Sequence, residues 1–500
     1  MTRNTSDRTG IPGLIFDEPA LFELGSPGRK GYSLPASELP DVEVATLLPP
    51  GEIRGPIEHF PELSELDVVR HFTRLSQWNF SIDSNFYPLG SCTMKYNPKI
   101  NEDMARLPGF SQHHPYSPEI LSQGSLQLLF ELQDYLKEIS GMSTVSLQPA
   151  AGAHGEMTGM LIVQAYLATQ GNPRSKVLMP DSAHGTNPAS SALCGYEVVQ
   201  IPSDSEGLID VAKLNDLMDE DTAAIMLTNP NTLGMFEKNI LQITDIVHQK
   251  GGLVYCDGAN LNALMGVSKV ADMGVDLLHF NLHKTFSTPH GGGGPGAGPV
   301  GVREFLEPFL PIPVIEHQGG KYTMVYDRPQ SIGKVSTFYG NFGILLRAYV
   351  YIRSLGPDGV RQSCELAVLN ANYIKSELKD TYHLPYPGPS LHEAVFNDQR
   401  QLAHNVKTLD IAKMLIDYGF HPPTIYFPLI VKGALMIEPT ETESKETIDR
   451  FIQAMREIAE LAEKDAERFH DAPYLSKVSR PDEARAARQP KLRWKPVYHR

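Results

Sequence analysis

Cysteine is scarce in this sequence, and long apolar runs are missing from it. The four cysteines, Cys92, Cys194, Cys256 and Cys364, lie far apart and form neither a CxxC pair nor a zinc-binding spacing. We therefore expect a reducing compartment, the cytoplasm, and no metal site. No stretch is apolar over the ~20 residues that a membrane-spanning helix needs, so we expect no such helix.

Positive charge is also in short supply. The chain of 500 residues has 44 Lys and Arg against 59 Asp and Glu, a formal net charge of −15, which argues against a nucleic-acid-binding protein. The first residues, MTRNTSDRTGIPGLIFDEPALFE, contain no apolar signal core and carry acids early, so we expect no secretory or mitochondrial presequence. With 41% hydrophobic and 21% charged residues, the composition is typical of a globular protein of two or three domains.

Both ends of the chain are rich in proline and charge. Residues 1–60 are interpreted as an extended arm, which would be ordered by lying on a partner subunit; the alternative is a frayed tail. Residues 471–500 form a basic tail that prolines interrupt. This tail is either solvated or docked on an acidic partner.

Between the two ends, helical and strand signals alternate along the chain. The segments GSLQLLFELQDYLKEISG and MTGMLIVQAYLATQG predict helices, and the apolar runs STVSL, KVLMP, AAIML, GLVYC and DLLHF predict strands. This alternation over residues 61–345 indicates a large α/β domain, with a mostly parallel central sheet flanked by helices. Residues 346–470 begin with two further helical segments and contain the runs HEAVFN and TIYFPLIV, which predicts a smaller α+β C-terminal domain.

Two residues with complementary chemistry follow neighbouring strands of the predicted sheet. The strand GGLVYC ends at Asp257, and the next strand, DLLHFN, ends just before His283 and Lys284. Ligands of such sheets bind beyond the carboxyl ends of the strands. Pyridoxal phosphate (PLP) requires a lysine amine for its covalent linkage and an acid that keeps its ring nitrogen protonated. Asp257 and Lys284 could supply both, although an acid at a strand end can also be a helix cap or a turn former.

The segment after Lys284, TFSTPHGGGGPGAGPVG, is unusually rich in glycine. Glycine would give the backbone conformational freedom beside a crowded cofactor; the alternative is a flexible surface loop. To react with a cofactor, the lysine must be partly deprotonated. Desolvation or a nearby cation would lower its pKa from the usual value of ~10.4.

Three other strand ends carry candidate cofactor contacts. The turn AAGAHGE, residues 150–156, would bring amides at a helix N-terminus close to a phosphate, although Glu156 opposes an anion unless it points away or caps the helix. His184 in PDSAHGTNP could stack on a flat ring or be an ordinary loop residue. Thr228 in TNPNTLG could donate a hydrogen bond near the ring hydroxyl, or the segment could be a simple proline turn.

Taken in order, AAGAHGE, DSAHGTNP, LTNPNTLG, YCDGAN, NLHKTF and GGGGPGAGPVG resemble the corresponding segments of fold-type I PLP-dependent enzymes. SPGRKGYSLP, NFYPLGSCTMKYNPK, YGFHPPTIYFPL and MIEPTETESKETID narrow the resemblance to the P-proteins of the glycine cleavage system, the decarboxylating glycine dehydrogenases. The resemblance covers nearly the whole chain. It is to the second half of the double-length members, which corresponds to the PLP-carrying subunit 2 of the two-chain members.

The resemblance implies a function and a set of site residues. The function is PLP-dependent decarboxylation of glycine, with transfer of the aminomethyl group to the lipoyl group of H-protein, by an α2β2 assembly with a subunit 1. The implied contacts are PLP bound covalently to Lys284, Asp257 on the ring nitrogen, His184 stacked on the ring, Ala259 beneath it, Ala151, Gly152, Ala153 and His283 near the phosphate, and an active-site loop that includes Ser91, Cys92 and Thr93. Another fold-type I enzyme, such as an amino-acid decarboxylase or a cysteine desulfurase, and a non-catalytic interaction subunit are the alternatives.

Overall fold

The computed structural model describes residues 18–476 and 478–495 of the chain. By their contacts, the residues divide into two compact units. One unit is drawn from residues 1–80 and 473–500, and the other is Ser81–Ala472. The candidate site lies in the second unit.

Parts of the predicted ends lie outside the described residues. Residues 1–17, 477 and 496–500 contain part of the arm, part of the basic tail and most of the stretch on which the absence of a presequence was predicted. The domain boundaries predicted at residues 60, 345 and 470 stay a prediction.

The described residues form twelve strands. They are β1 Thr144–Ser146, β2 Lys176–Pro180, β3 Glu197–Ile201, β4 Thr222–Leu227, β5 Leu253–Gly258, β6 Leu277–Phe280, β7 Val300–Val302, β8 Val314–Gln318, β9 Lys321–Val325, β10 Ala394–Asn397, β11 Thr424–Ile425 and β12 Ala434–Ile437. They form a seven-stranded, a three-stranded and a two-stranded sheet.

Twelve α-helices are found in the same residues. They are α1 Glu65–Ser76, α2 Lys99–Ala105, α3 Pro108–Ser111, α4 Glu119–Ser140, α5 Gly152–Thr169, α6 Thr186–Leu193, α7 Val211–Leu217, α8 Ile240–Gln249, α9 Phe342–Leu378, α10 Thr408–Asp417, α11 Lys445–Lys464 and α12 Glu483–Arg488. Helix α9 is kinked at Gly356, which has φ 64° and precedes Pro357. None of these helices is both long and apolar enough to cross a bilayer.

The seven-stranded sheet forms the centre of the unit Ser81–Ala472. Its strand order is β1-β7-β6-β5-β4-β2-β3, and only β7 runs antiparallel to its neighbours. Strands β4 and β5 are buried at every position. Because both faces of a parallel sheet are covered, such strands are continuous apolar runs rather than alternating ones. The predicted fold class, a mostly parallel sheet flanked by helices with a smaller α+β part, is confirmed.

Alternate residues of each strand pack against different helices. In β5, Val254 and Cys256 join the core that contains α4 and α8, whereas Leu253 and Tyr255 join the core against α5. Because side chains alternate along a strand, Asp257 lies on the α5 face with Tyr255. The sheet register therefore decides which side of the sheet the charged residue reaches.

Helix α5 packs unusually close to the sheet because it carries glycine where it crosses the strands. A Cβ on Gly159 would lie 2.3 Å from Cε2 of Tyr255, and one on Gly155 would lie 2.9 Å from Cβ of His279. The helix begins at Gly152, five residues before the predicted helical segment. The predicted Gly/Ala turn is therefore largely the first turn of the helix.

The second core of this unit surrounds the sheet β10-β12-β11. Helices α10 and α11 and the second half of α9 pack against it through residues such as Ile374, Met414, Phe451 and Met455. Sequence reasoning missed β12 and overextended TIYFPLIV, of which only Thr424–Ile425 pairs in the sheet. The proline of that segment lacks an N–H donor, which explains the short strand.

The other unit has little interior of its own. Within residues 18–60 no residue is buried, and the regular structure consists of three 3-10 helices. Glu18 accepts hydrogen bonds from Nε and Nη2 of Arg74, both at 2.5 Å, and lies 2.9 Å from Nδ1 of His71. Phe22 stacks on Trp494, with ring centroids 5.1 Å apart. Contacts between chain segments, rather than a core, hold this unit together.

The contact between the glycine-rich segment and α5 gives a testable prediction. A Cβ on Gly298 would lie 1.9 Å from the carbonyl oxygen of Ala151 and 2.4 Å from its carbonyl carbon, and backbone atoms cannot rotate away. We expect Gly298→Ala to lower the free energy of unfolding by about 1–3 kcal/mol, as overpacking does. Urea denaturation measures the change.

The matched control is Gly124→Ala in α4, where a Cβ would meet nothing within 4 Å. This variant should be neutral or more stable by up to about 1 kcal/mol, because alanine favours a helix. Equal stability of the two variants would contradict the predicted steric conflict.

Candidate active site

A cavity of about 240 Å³ lies beyond the carboxyl ends of the central strands. Nine of the predicted site residues line it, namely Ser91, Gly152, Ala153, His184, Thr228, Asp257, Ala259, His283 and Lys284. Ala151, Cys92 and Thr93 are not among the lining residues. Ala151 is the N-cap of α5, and Thr93 is fully buried.

Asp257 is held at the end of β5 by three neighbours. Its Oδ2 accepts a hydrogen bond from Nδ2 of Asn187 at 3.0 Å, and its Oδ1 accepts one from the amide of Ala259 at 3.0 Å. Nε2 of His279 lies 3.3 Å from Oδ1. Burial acts to raise the pKa of Asp257, but His279 and Lys284 outweigh it, and the pKa is lowered overall. The cavity thus contains a buried carboxylate that stays charged.

The hydroxyl of Tyr255 fixes the orientation of the His279 ring. Its Nδ1 lies 2.9 Å from the hydroxyl of Tyr255, which is also 3.3 Å from the carbonyl oxygen of Gly155. His279 and Asp257 are direct partners in the register of β5 and β6. A chain of polar contacts therefore runs from the backbone of α5 to the carboxylate, and it restrains the imidazole next to Asp257.

Lys284 follows β6 at the same edge of the sheet. Since β5 and β6 are adjacent and parallel, the prediction that Asp257 and Lys284 follow neighbouring strands is confirmed. The amide of Lys284 donates to the carbonyl of Asn281 at 3.0 Å, which turns the chain back towards the cavity. Among the described residues, no carboxylate lies within ion-pair distance of its Nζ.

The start of α5 offers backbone donors at one end of the cavity. The N-cap Ala151 has no side chain that could cap the helix, and the first turn has no acid. The carboxylate of Glu156 is directed towards α6, where its two oxygens accept from the hydroxyls of Thr186 and Ser190 at 2.8 and 2.7 Å. The first amides of the helix are thus left for a ligand, and helix N-termini favour anions.

Several polar groups of the cavity lack a partner among the described residues. They are Oγ1 of Thr228, Oδ1 of Asn281 and Nδ1 of His283. Burial, with His290 and Lys284 nearby, lowers the pKa of His283 to about 3, so its imidazole is neutral. Buried polar groups are normally satisfied, so these atoms mark positions where a polar ligand would bind.

His184 lies on the cavity wall between α6 and a distant loop. Its Nδ1 is 3.0 Å from Oγ1 of Thr186, and its ring meets that of Phe427 edge-on at 5.7 Å. Burial is the main cause that lowers the pKa of His184. The ring is therefore a neutral flat surface at the cavity.

The loop that contains Ser91 and Thr93 is tied to the C-terminal sheet. Both residues have positive φ, 66° and 53°. The amide of Ser91 donates to Glu393 at 2.5 Å, and the amide and hydroxyl of Thr93 donate to Glu438 at 3.0 and 2.7 Å. Side-chain acceptors on another element thus support a backbone conformation that costs energy for these residue types.

Lys95 fixes the same loop from its other end. Its side chain is fully buried, and Nζ donates to Glu441 at 2.7 Å and to Asn262 and Tyr351, both at 3.1 Å. All three ammonium hydrogens are therefore used. Although burial opposes it, Glu441 is the main partner that raises the pKa of Lys95, so the lysine is a charged anchor and not a reactive amine.

Sequence reasoning missed several residues of the site. His279 could have been found, because it is a polar residue inside the otherwise apolar run DLLHF. Asn187 lies in the quoted segment DSAHGTNP and was not singled out. Glu393 and Glu438 reach the cavity region from segments some 300 residues from the loop that they hold, so no local pattern signals them.

Comparison with known families agrees with this geometry. A model described as glycine cleavage system P-protein matches residues 44–318, and one described as the C-terminal domain of glycine dehydrogenase matches residues 363–474. A probable glycine dehydrogenase (decarboxylating) subunit 2 from Bacillus licheniformis is 55% identical, over 96% of this chain and 99% of its own length. A protein of the same description from Pelodictyon phaeoclathratiforme is 56% identical, over 94% and 98%.

Solved structures extend the comparison to more distant proteins. A glycine decarboxylase (P-protein) in inhibitor-bound form has a TM-score of 0.70 at 20% identity and covers 83% of this chain and 94% of its own. The cysteine desulfurase CsdA from Escherichia coli has a TM-score of 0.59 at 16% identity, over 77% and 97%. At these identities the likeness establishes the fold alone.

The fold is that of the fold-type I PLP-dependent enzymes. Within that class, the extensive match to the family model and the identity to full-length relatives are decisive: the chain belongs to the glycine cleavage system P-protein family. The resemblance drawn from the sequence motifs is confirmed.

The buried lysine of the loop gives a second prediction. Lys95→Met should lower the free energy of unfolding by about 3–5 kcal/mol, because it leaves the carboxylate of Glu441 buried without its partner. The double variant Lys95→Met/Glu441→Gln removes that charge and should recover part of the loss. Urea denaturation of both variants checks this, and a double variant no more stable than the single one would contradict the assigned pairing.

Proposed function

We propose that this chain is the PLP-carrying subunit 2 of a P-protein. It decarboxylates glycine and transfers the aminomethyl group to the lipoyl group of H-protein. The observation that carries the proposal is the charged, buried carboxylate of Asp257 beside Lys284 in a cavity at the carboxyl ends of adjacent strands. Membership of the P-protein family supports the choice of reaction.

The residues at the cavity fit PLP. Lys284 Nζ would hold the coenzyme covalently, and Asp257 would face its ring nitrogen and keep that nitrogen protonated. When bound, PLP supplies the electron sink for the pair that remains after CO2 departs. Asn187 and Ala259 serve this chemistry indirectly, since their hydrogen bonds aim the carboxylate. Ala259 also lines the cavity, where it would lie beneath the ring.

The remaining cavity groups would hold the rest of the coenzyme. The amides of Gly152 and Ala153 at the start of α5, with neighbouring Ala151, are assigned to the phosphate, because a helix N-terminus favours an anion. Nδ1 of His283, which lacks a partner among the described residues, would donate to the same group. The hydroxyl of Thr228, which has no partner among the described residues, is assigned to the ring hydroxyl. His184 is assigned to the face of the ring.

The loop of Ser91, Cys92 and Thr93 is assigned to the substrate side of the cavity. Ser91 lines the cavity, and Cys92 is half-buried behind it. Burial is the main cause that raises the pKa of the Cys92 thiol, so this thiol is neutral and is not a nucleophile. The loop would exclude water from the carbon that loses CO2, which suppresses premature protonation.

Partner subunits follow from the same proposal. The relatives are described as subunit 2, and we infer a subunit 1 in an α2β2 assembly, with lipoylated H-protein as the acceptor. The unit that contains the arm exposes many large apolar side chains, including Tyr32 at 78%, Leu34 at 80%, Leu39 at 78% and Leu47 at 69%. Apolar surface of this extent is typical of a protein interface, and subunit 1 is the partner that we assign to it.

The third prediction tests the covalent linkage and the reaction. Borohydride reduction of the wild-type chain with PLP should modify Lys284, and Lys284→Ala should abolish both the modification and the exchange of bicarbonate into glycine with subunit 1 and H-protein. Lys375 is the internal control, because burial lowers its pKa, and its Nζ donates to Gly388 and Ser390 outside the cavity. A reducible adduct that persists in Lys284→Ala would overturn the assignment.

The fourth prediction tests the arm. Ordering a segment costs roughly 1–2 kcal/mol per residue in backbone entropy, and no residue of 18–60 is buried as a whole, although the side chain of Glu18 is. We expect deletion of residues 1–55 to weaken assembly with subunit 1 in size-exclusion chromatography and to lower bicarbonate exchange. Full co-elution at full activity would show that the arm is dispensable.

A further inference from the structure

Two carboxyl groups meet at the edge of the C-terminal sheet. Glu393 precedes β10 and Glu438 follows β12, and the antiparallel register pairs the adjacent residues Ala394 and Ile437. Both acids are almost fully buried, at 3% and 0% exposure. Oxygens of the two acids and a nitrogen of His392 all lie within 4.8 Å of one another. Two carboxylates this close and this buried cannot both be ionised near neutral pH.

The hydrogen-bond donors are divided unequally between the two acids. Glu438 accepts three hydrogen bonds, from the amide and hydroxyl of Thr93 at 3.0 and 2.7 Å and from Nδ2 of Asn260 at 2.8 Å. Glu393 accepts one, from the amide of Ser91. Because donors stabilise the ionised form, Glu438 keeps the negative charge, and the single proton of the pair resides on Glu393.

The other charged and titratable groups that face Glu393 do not reverse this assignment. Burial and then Glu438 raise the pKa of Glu393 well above its usual value, and the Ser91 amide and Lys284 oppose them only partly. Burial lowers the pKa of His392 and raises that of Cys92, so both are neutral. Of the groups around Glu393, Lys284 is the cation, and it lies outside ion-pair distance.

Glu393 and His392 line the same cavity as Lys284. Nδ1 of His392, itself buried, has no partner among the described residues. Of the other titratable groups on the cavity wall, Asp257 is ionised, Glu156 accepts two hydroxyls, and the three histidines have lowered pKa values. Glu393 is thus the acid on the described part of this wall that burial and a neighbouring carboxylate keep protonated.

We propose that Glu393 is the proton donor of the aminomethyl transfer, an inference that rests on the proposed function. The electron pair on the glycine-derived carbon forms a bond to one lipoyl sulfur, and the sulfur–sulfur bond breaks. The second sulfur leaves with that bond's electron pair and takes the proton of Glu393. The carbon is oxidised and the disulfide reduced by two electrons, so no further oxidant is needed. Glu393 then regains a proton from water.

The pairing with Glu438 suits this role. A neutral acid in the cavity does not repel the glycine carboxylate, whereas a second anion there would. After Glu393 has given up its proton, two anions face each other, which drives reprotonation before the next turnover. The Ser91 amide holds the acid against the loop of Ser91, Cys92 and Thr93.

The test compares Glu393→Gln with the wild type, each assembled with subunit 1. Glutamine can still accept from Ser91 and donate to Glu438, so it reproduces the protonated acid except for its ability to release a proton. Mass spectrometry of lipoylated H-protein after a single turnover measures the transfer rate. We expect a decrease on the order of 10²-fold, the usual contribution of a general acid, and loss of the solvent deuterium isotope effect.

The matched control is Glu443→Gln. Burial raises the pKa of Glu443 to about 7, but this residue does not line the cavity. Its transfer rate should equal that of the wild type. Wild-type transfer rates in Glu393→Gln would overturn the proposal. A wild-type heteromer that leaves H-protein unmodified would instead overturn the proposed function, and the donor role with it.

A second readout does not depend on activity. A raised pKa means that the folded chain binds a proton that the unfolded chain has lost, so the stability contributed by Glu393 falls as pH rises above the unfolded pKa. The melting temperature of Glu393→Gln minus that of the wild type should therefore increase as pH increases. A difference that does not change with pH would show that Glu393 carries no proton and acts only as a hydrogen-bond acceptor.

A third variant keeps the proposal testable if Glu393→Gln does not fold. Glu438→Gln removes the charge that holds the proton on Glu393 and should shift the alkaline decline of the transfer rate to lower pH. An unchanged pH profile in this variant would overturn the proposal.

Discussion

The burial of one ionised carboxylate is the constraint on which the site depends. Asp257 lies at the end of a fully buried strand, where a charge without partners would be costly. Asn187, Ala259 and His279 each supply part of the compensation, and each comes from a different element. Their positions are therefore tied to one another through this side chain, at the edge of the sheet where the candidate site lies.

Close packing behind the site serves the same end. Glycine at positions 155 and 159 lets α5 approach the strands so closely that Tyr255 contacts the helix backbone and restrains His279. Had the helix carried larger residues, it would lie farther from the sheet and this contact would be lost. The same close approach brings the first turn of α5 to the cavity. The two glycines therefore help to position both the residues proposed to contact the ring and those proposed to contact the phosphate.

Much of this arrangement could be predicted from the sequence. Continuous apolar runs that end in polar residues identified β5 and β6, and their adjacency brought Asp257 and Lys284 together. The failures have a physical pattern. Strand β12 was missed, although its apolar run is as long as that of β6. Lys95, Glu393 and Glu438 were missed because their partners lie far away along the chain. Local periodicity contains no information about such pairs.

The distance along the chain between the loop of Ser91 and its acidic acceptors has a consequence for biosynthesis. A nascent chain that has emerged as far as residue 302 contains every strand of the seven-stranded sheet, but neither Glu393 nor Glu438. The amides of Ser91 and Thr93 then lack their acceptors, and the left-handed conformation of these two residues loses its support. The sheet can form early, since domains fold during synthesis. The loop of Ser91 and Thr93 can be fixed in place only after Glu393 and Glu438 have been synthesised. A chain truncated between residue 302 and Glu393 would therefore contain all the strands of the sheet but not the acceptors that complete the site.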